Sequence, residues 1–224
     1  MVQTKTKKVQ ALVLITVTPD RLEMTGAREL SEQIIQGLMG PEIVDVVGIG
    51  SSIPGVIAAV NLSKNIANVN IQSLTLDYIP IAVYGKQEAI FFELAQKAET
   101  VSEFIEDFEK QEEANKVLMT VVVYRGDRIS TITNQLLYKL SRYSRIKLIA
   151  SGFAITTAVR ATLQVTTSGI SKQPISVSAI DASSVKRRDM PEKRVPAIQI
   201  YLEKGHATVY SLHHAEVLEQ ITKR

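Results

Sequence analysis

Two stretches decide how this sequence folds: EIVDVVGIGSSIPGVIAAV, Glu42–Val60, and RIKLIASGFAITTAVRATL, Arg145–Leu163. Each passes from an apolar, β-branched segment through a glycine into a segment with helical apolar spacing. The first carries Gly48, Gly50 and Gly55 and invites comparison with a dinucleotide-binding loop. A G-x-G-x-x-G loop would need its third glycine at Ile53. Asp77, at the end of the next strand, stands where a ribose-binding acid would be, but the second copy keeps only Gly152. Two strand–helix steps then give way to an antiparallel pair, too few for a doubly wound sheet. The residues read instead as a tight strand-to-helix turn at Gly50 and at Gly152.

Working outward, VQALVLITV (9–17) reads as a strand and GARELSEQIIQGLM as a helix with Leu30, Ile34, Ile35 and Leu38 on one face. EIVDVVGIG is a strand. SIPGVIAAVNLSKNI is a helix with Ser51 or Ser52 as N-cap and Pro54 in its first turn. VNIQSLTLDYI and EAIFFELA are strands joined by a hairpin through VYGKQ, with its glycine at Gly85. The order is βαβαββ, and it recurs: KVLMTVVVY, ISTITNQLLYKLS (Ile132, Leu136, Leu137 and Leu140 inward), IKLIAS, AITTAVRATLQV, PISVSAID and AIQIYLE. The first-helix apolar positions map 102 residues on, as do Gly50 to Gly152 and Ile53 to Ile155. Strand three matches at 104, taking Asp77 to Asp181, and strand four at 108. TVSEF (100–104) and TVYSL (208–212) keep the 108 spacing, so each unit is expected to end in an extra helix. Duplication with loop insertions explains the drift.

The fold class expected is therefore α/β, an α+β two-layer sandwich in two βαβαββ units. Residues 1–98 form the first unit, 99–116 an acidic helical joint, and 117–224 the second unit. The net charge of +3 over 224 residues conceals an asymmetry. Residues 1–98 hold eight Lys/Arg against nine Asp/Glu, 99–116 hold two against seven, and 117–224 hold sixteen against seven. A basic second unit suits an anionic partner. Zero cysteines exclude disulfides, thiolate metal sites and cysteine nucleophiles and fit a cytoplasmic chain. No apolar run approaches the roughly 20 residues that span a bilayer, so no membrane partner is expected. MVQTKTKK leads into a strand rather than a signal-peptide core.

The βαβαββ unit with these two strand–helix junctions resembles the Alba family of archaeal nucleic-acid-binding proteins. Gly152, Ala154, Ile155, Ala158 and Val159 match the apolar frame of that family's junction, followed by PISVSAIDA, a hairpin and PAIQIYLEK. The resemblance covers nearly all of 117–205 and, more weakly, 9–97. It implies a two-layer sandwich similar to the C-terminal domain of bacterial translation initiation factor three, and a dimeric habit. Two units in one chain then imply a fused pseudo-dimer that binds DNA or RNA, chromosome-associated, non-enzymatic and without cofactor or metal. Other Alba-type subunits and self-association are further partners it implies. The chain departs from the family where a Lys-Lys pair is usual after strand one: the second unit reads YRGDRIS, leaving Arg125 and Arg128 for phosphate, and the first reads TPDRLEM, with Arg21. The basic residues flanking the family glycine are replaced by Ser151 and Phe153, and by Ile49 and Ser51.

Positive charge concentrates instead in the second unit's strand-three to strand-four connection, ASSVKRRDMPEKRVP, read as four residues longer than its counterpart. Lys186, Arg187, Arg188, Lys193 and Arg194 stand there against Asp189 and Glu192. Guanidinium and ammonium groups on an extendable arm pair with phosphates and release counterions; the plainer reading is a solvated hairpin tip that blunts a sheet edge. Arg142 and Arg145 add to the unit's charge. Phe153, at a loop tip, is a candidate for stacking on an unpaired base, against a packing role. Tyr124, Tyr138 and Tyr143 read as core or half-buried. His206, His213 and His214 read as surface residues, because adjacent histidines face different ways on a helix. No nucleophile–base–orienter set is apparent. The rival expectation is a protein-interaction module on the duplicated scaffold that has lost nucleic-acid binding.

Overall fold

The computed structural model describes residues 13–39, 43–67, 69–81, 85–96, 119–167, 173–186, 190, 192–205 and 217–221. The first half contains β1 (Val13–Val17), α1 (Pro19–Gly37), β2 (Ile43–Ile49), α2 (Ile53–Ile66), β3 (Val69–Ile81) and β4 (Gly85–Gln96). The second contains β5 (Met119–Val123), α3 (Ile129–Arg142), β6 (Arg145–Ser151), α4 (Ala154–Thr167), β7 (Ile175–Lys186) and β8 (Arg194–Lys204). The sheets have the same order, β1-β2-β4-β3 and β5-β6-β8-β7, so the chain is an α+β protein of two βαβαββ halves. In each, the first two strands are parallel and joined across a helix, and the last two form an antiparallel hairpin.

Periodicity explains the layering. Leu30 and Ile34 are buried on α1 and Leu38 at its C-cap, and Ile132, Leu136 and Leu140 on α3, at the four-residue steps of one helical face. Ile35 and Leu137 are only half-buried. Alternate residues Val44, Val46, Ile90, Phe92 and Leu94 complete the first half's core beneath the helices. Burial at β2 runs through both faces, from Val44 to Ile49, whereas β6 alternates, burying Ile146, Leu148 and Ala150 alone. The cause is a helical turn at 217–221: Val217 is buried against Val47, Ile49, Ile79, Ala89 and Phe91, with Leu218 and Ile221 beside it. The chain's last described residues thus cover the outer face of the first sheet. The expected helical stretches at 208–212 and in the joint 99–116 lie outside the described residues.

The halves share one hydrophobic core. α2 packs on β7 and β8, α4 packs reciprocally on β3 and β4, α2 touches α4, and β3 touches β7. At this junction Arg160 Nη2 of α4 lies 2.6 Å from Oε1 of Glu88 on β4, a carboxylate buried in the interior. No helix among the described residues is long and apolar enough to cross a membrane.

Three expectations are corrected. The first helix starts at Pro19, not Gly26. Thr18 caps it by accepting from the Arg21 N–H at 3.4 Å, Asp20 lies in its positive first turn, and Gly26 breaks it at φ 72°. The second correction concerns strand three. The bulges at Ile71/Ser73 and Val177/Ala179, and the pairing of Thr75 with Phe91 and Asp181 with Gln199, set the repeat there at 106. The counterpart of Asp77 is therefore Ser183, so the hairpin insertion is two residues rather than four. A two-residue slip leaves every side chain on its face, so the alternating pattern alone cannot detect it. Finally, Tyr124 and Tyr138 are exposed, at 66% and 57%, because both point away from the layer of buried neighbours. Only Tyr143 is half-buried.

Candidate nucleic-acid interface

Topology gathers most of the basic candidates at one end of the second sheet. The parallel strands β5 and β6 both finish there. β8 runs antiparallel to β6, so its first residues are at that end, beside the last residues of β7. Ser151 pairs with Ala197, and the β7–β8 ladder continues beyond that pair to Lys186 opposite Arg194. The hairpin therefore overhangs β6 by three residues of β8, about 10 Å of extended chain.

Arg125 sits in the turn after β5. The Asp127 carboxylate accepts the Tyr124 N–H at 2.8 Å, the Asp127 N–H donates to the Tyr124 carbonyl at 3.2 Å, and Gly126 takes φ 95°. This local closure fixes the turn and holds the Arg125 side chain outward. Arg128, exposed, occupies the N-cap position of α3 without using its side chain as a cap. After β6, Gly152 takes φ 56°, and its N–H donates to the Pro196 carbonyl at 2.8 Å. That bond ties the β6–α4 turn to the base of the hairpin. Phe153 follows, 77% exposed, with the Arg125 guanidinium 5.2 Å from its ring centre. Two residues singled out from separate loops therefore meet as a cation–π pair.

On the hairpin, Lys186, Lys193 and Arg194 are exposed, and the Lys193 N–H donates to the Met190 carbonyl at 2.9 Å. Lys186 and Arg194 face each other across the ladder, and like charges in that position repel. A phosphate between them would relieve the repulsion. Arg187 and Arg188 lie outside the described residues, as do His206, His213 and His214.

Arg142 and Arg145 are engaged with the chain itself. Arg145 Nε lies 2.8 Å from Glu203 Oε1, and its guanidinium lies 5.3 Å from the Tyr201 ring, which Lys147 also approaches at 5.2 Å. Arg142 stacks on Tyr138 at 4.4 Å. Tyr124 is the site residue that sequence reasoning missed. The signal was present in the strand: Val121 and Val123 point in, so Thr120, Val122 and Tyr124 point out.

The corresponding end of the first sheet is built differently. β1 and β5 align at an offset of 106 whereas β2 and β6 align at 102, so the first half has four more residues between its first strand and the apolar stripe of its first helix. They form the extra turn from Pro19, which brings Leu22 onto α2 where a Cβ at Gly55 would overlap it. Arg21 donates to the Thr16 carbonyl at 2.7 Å and to Gln33 Oε1 at 3.1 Å. Ser52 accepts the Ile49 N–H and donates to the Val17 carbonyl, both at 2.8 Å, locking the strand ends together. The glycines that resembled a nucleotide loop have packing roles. A Cβ on Gly48 would come 2.9 Å from Val56 Cγ2, Gly55 gives room to Leu22, and Gly50 adopts φ 59° for the turn. No protein-family model matches the chain, and no curated protein sequence matches it.

Proposed function

We propose that this chain is a nucleic-acid-binding protein of Alba type. It acts without catalysis and contacts phosphates, largely independently of sequence, at one end of its second half. The observation that carries this reading is the convergence of Arg125, Arg128, Lys186, Lys193 and Arg194, all exposed, from one loop and a hairpin at a single sheet end. Their counterpart region in the first half has Arg21 engaged by the chain and Leu22 seated on Gly55. The pseudo-dimeric arrangement therefore offers one basic end rather than two. The Lys186–Arg194 juxtaposition favours an anion, which suits phosphate contact rather than base-edge readout. A cytoplasmic, chromosome-associated location and other Alba-type subunits as partners belong to the same reading.

The test is binding of a fluorescent duplex and of a single strand across a salt series. The comparison variant is Arg125→Ala/Arg128→Ala/Lys193→Ala/Arg194→Ala. Wild-type affinity should fall linearly with log salt, and the variant should bind more weakly with a shallower slope, by about 0.7–0.9 for each phosphate it no longer neutralises. Failure of the wild type to bind either polymer at low salt would replace this reading with that of an assembly module on a duplicated scaffold.

A further inference from the structure

From the Arg125–Phe153 pair we infer that the basic end recognises unpaired nucleotides, with Phe153 as a stacking platform for a base. The inference rests on the nucleic-acid reading above and specifies its ligand as single-stranded polynucleotide.

A phenylalanine whose role was packing would be buried by its neighbours; this one is 77% exposed. The backbone that carries its ring is nevertheless held. Gly152, one residue earlier, is fixed by the bond to Pro196, and the Ile155 N–H returns to the Gly152 carbonyl at 3.2 Å as α4 begins. The contact on the ring is itself a cation, carried by a turn that Asp127 closes. Exposed, carried on a hydrogen-bonded backbone turn and flanked by a guanidinium, the ring is placed to meet a flat partner. Tyr124, the residue before Arg125, adds an exposed aromatic to the neighbouring turn.

The alternation of aromatic and cationic groups selects between nucleic-acid forms. In a duplex the base faces are stacked on each other and the outer surface is phosphate, to which a phenyl ring contributes little. In a single strand each base presents a free face, the ring stacks on it, and Arg125 is placed to pair with the adjoining phosphate. The platform is sequence-tolerant, because every base has such a face. The first half has Ser51 at the position of Phe153, so it offers no aromatic ring there.

Phe153→Ala and Phe153→Tyr test the inference on full-length protein with oligo-dT, oligo-U and a mixed-sequence duplex of equal length. Because Phe153 is exposed, the alanine variant should unfold within a degree or two of wild type, which thermal melting checks. Its affinity for the single strands should fall about 5- to 100-fold, with the salt slope unchanged and duplex affinity within about two-fold. Phe153→Tyr should restore the single-strand affinity. A loss confined to oligo-dT or to oligo-U still supports stacking and shows that the site distinguishes the two polymers, which differ in the 2′-hydroxyl and the C5 methyl group. Equal losses on duplex and single strands, or no loss on single strands, would overturn the inference while leaving the phosphate reading intact. Absence of wild-type binding to all three polymers would overturn both.

Discussion

Arg160 on α4 reaches across the junction between the halves and ion-pairs with Glu88 on β4 at 2.6 Å. Glu88 is 2% exposed, so the guanidinium is a cation in direct contact with a buried carboxyl group. The pair holds Arg160 above its ordinary pKa, chiefly through the hydrogen bond to Glu88. It also carries charge complementarity into the reciprocal packing of α2 and α4 on the opposite sheets.

Removing the cation alone should therefore cost more than removing both charges. Arg160→Met is expected to destabilise the chain by about 2 kcal/mol, toward the lower end for a charged pair because the arginine is partly solvated. The double change Arg160→Met/Glu88→Leu should recover most of that loss. Urea unfolding of the two singles and the double measures the coupling; additive effects would mean that the pair does not join the halves energetically.

Tyr78, opposite Glu88 on β3, gives the same junction a pH signature. Burial, reinforced by the Glu88 carboxylate and opposed by Arg160, raises its phenol above the usual value of 10. The folded chain then keeps the phenolic proton more tightly than the unfolded chain does. The associated stability is complete below about pH 10 and is lost as pH rises past the raised value. Urea midpoints measured from about pH 9 to 11 should fall less steeply for Tyr78→Phe than for wild type. Parallel curves would show that Tyr78 does not contribute.

Gly55 and Leu22 offer a test of how the first half closes its own sheet end. Gly55→Ala places a methyl group where the Leu22 side chain lies. A loss of about 1–3 kcal/mol is expected from overpacking, and Leu22→Ala in the same background should relieve part of it. Full stability of Gly55→Ala on thermal melting would mean that the extra turn yields freely.

Much of this architecture is legible in the sequence because it rests on period. The helical spacing of Leu30, Ile34 and Leu38, and the repeat of Gly50 at Gly152 with near-identical φ of 59° and 56°, belong to residues whose local chemistry dictates their conformation. Where the pattern is degenerate, it misleads. Sequence alone matches strand three at an offset of 104 and equates Asp77 with Asp181, because a shift by two keeps faces the same. The bulges that settle the register have no strong sequence signal. The turn from Pro19 escapes the apolar stripe because Gly26 breaks it, although Thr18-Pro19-Asp20 is a recognisable helix start.

For the site, the arginines are visible as charge, but their grouping is not. Arg125 and Phe153 meet only because β5 and β6 run parallel and end together, a relationship between segments that neither turn encodes. The coverage of the first sheet by Val217 is equally nonlocal: nothing in those last residues specifies which half they return to.

Duplication supplies an internal control for the central claim, that the second half's sheet end contacts phosphate and the first half's does not. Lys86 and Arg194 are equivalent by strand register, with Lys86 opposite Pro80 and Arg194 opposite Lys186. Duplex affinity measured over a salt series for wild type, Lys86→Ala and Arg194→Ala compares the two ends directly. The account predicts that Arg194→Ala weakens binding and reduces the slope of log affinity against log salt by about 0.9, while Lys86→Ala leaves both unchanged. Equal slope changes in the two variants, or none in Arg194→Ala, would contradict it.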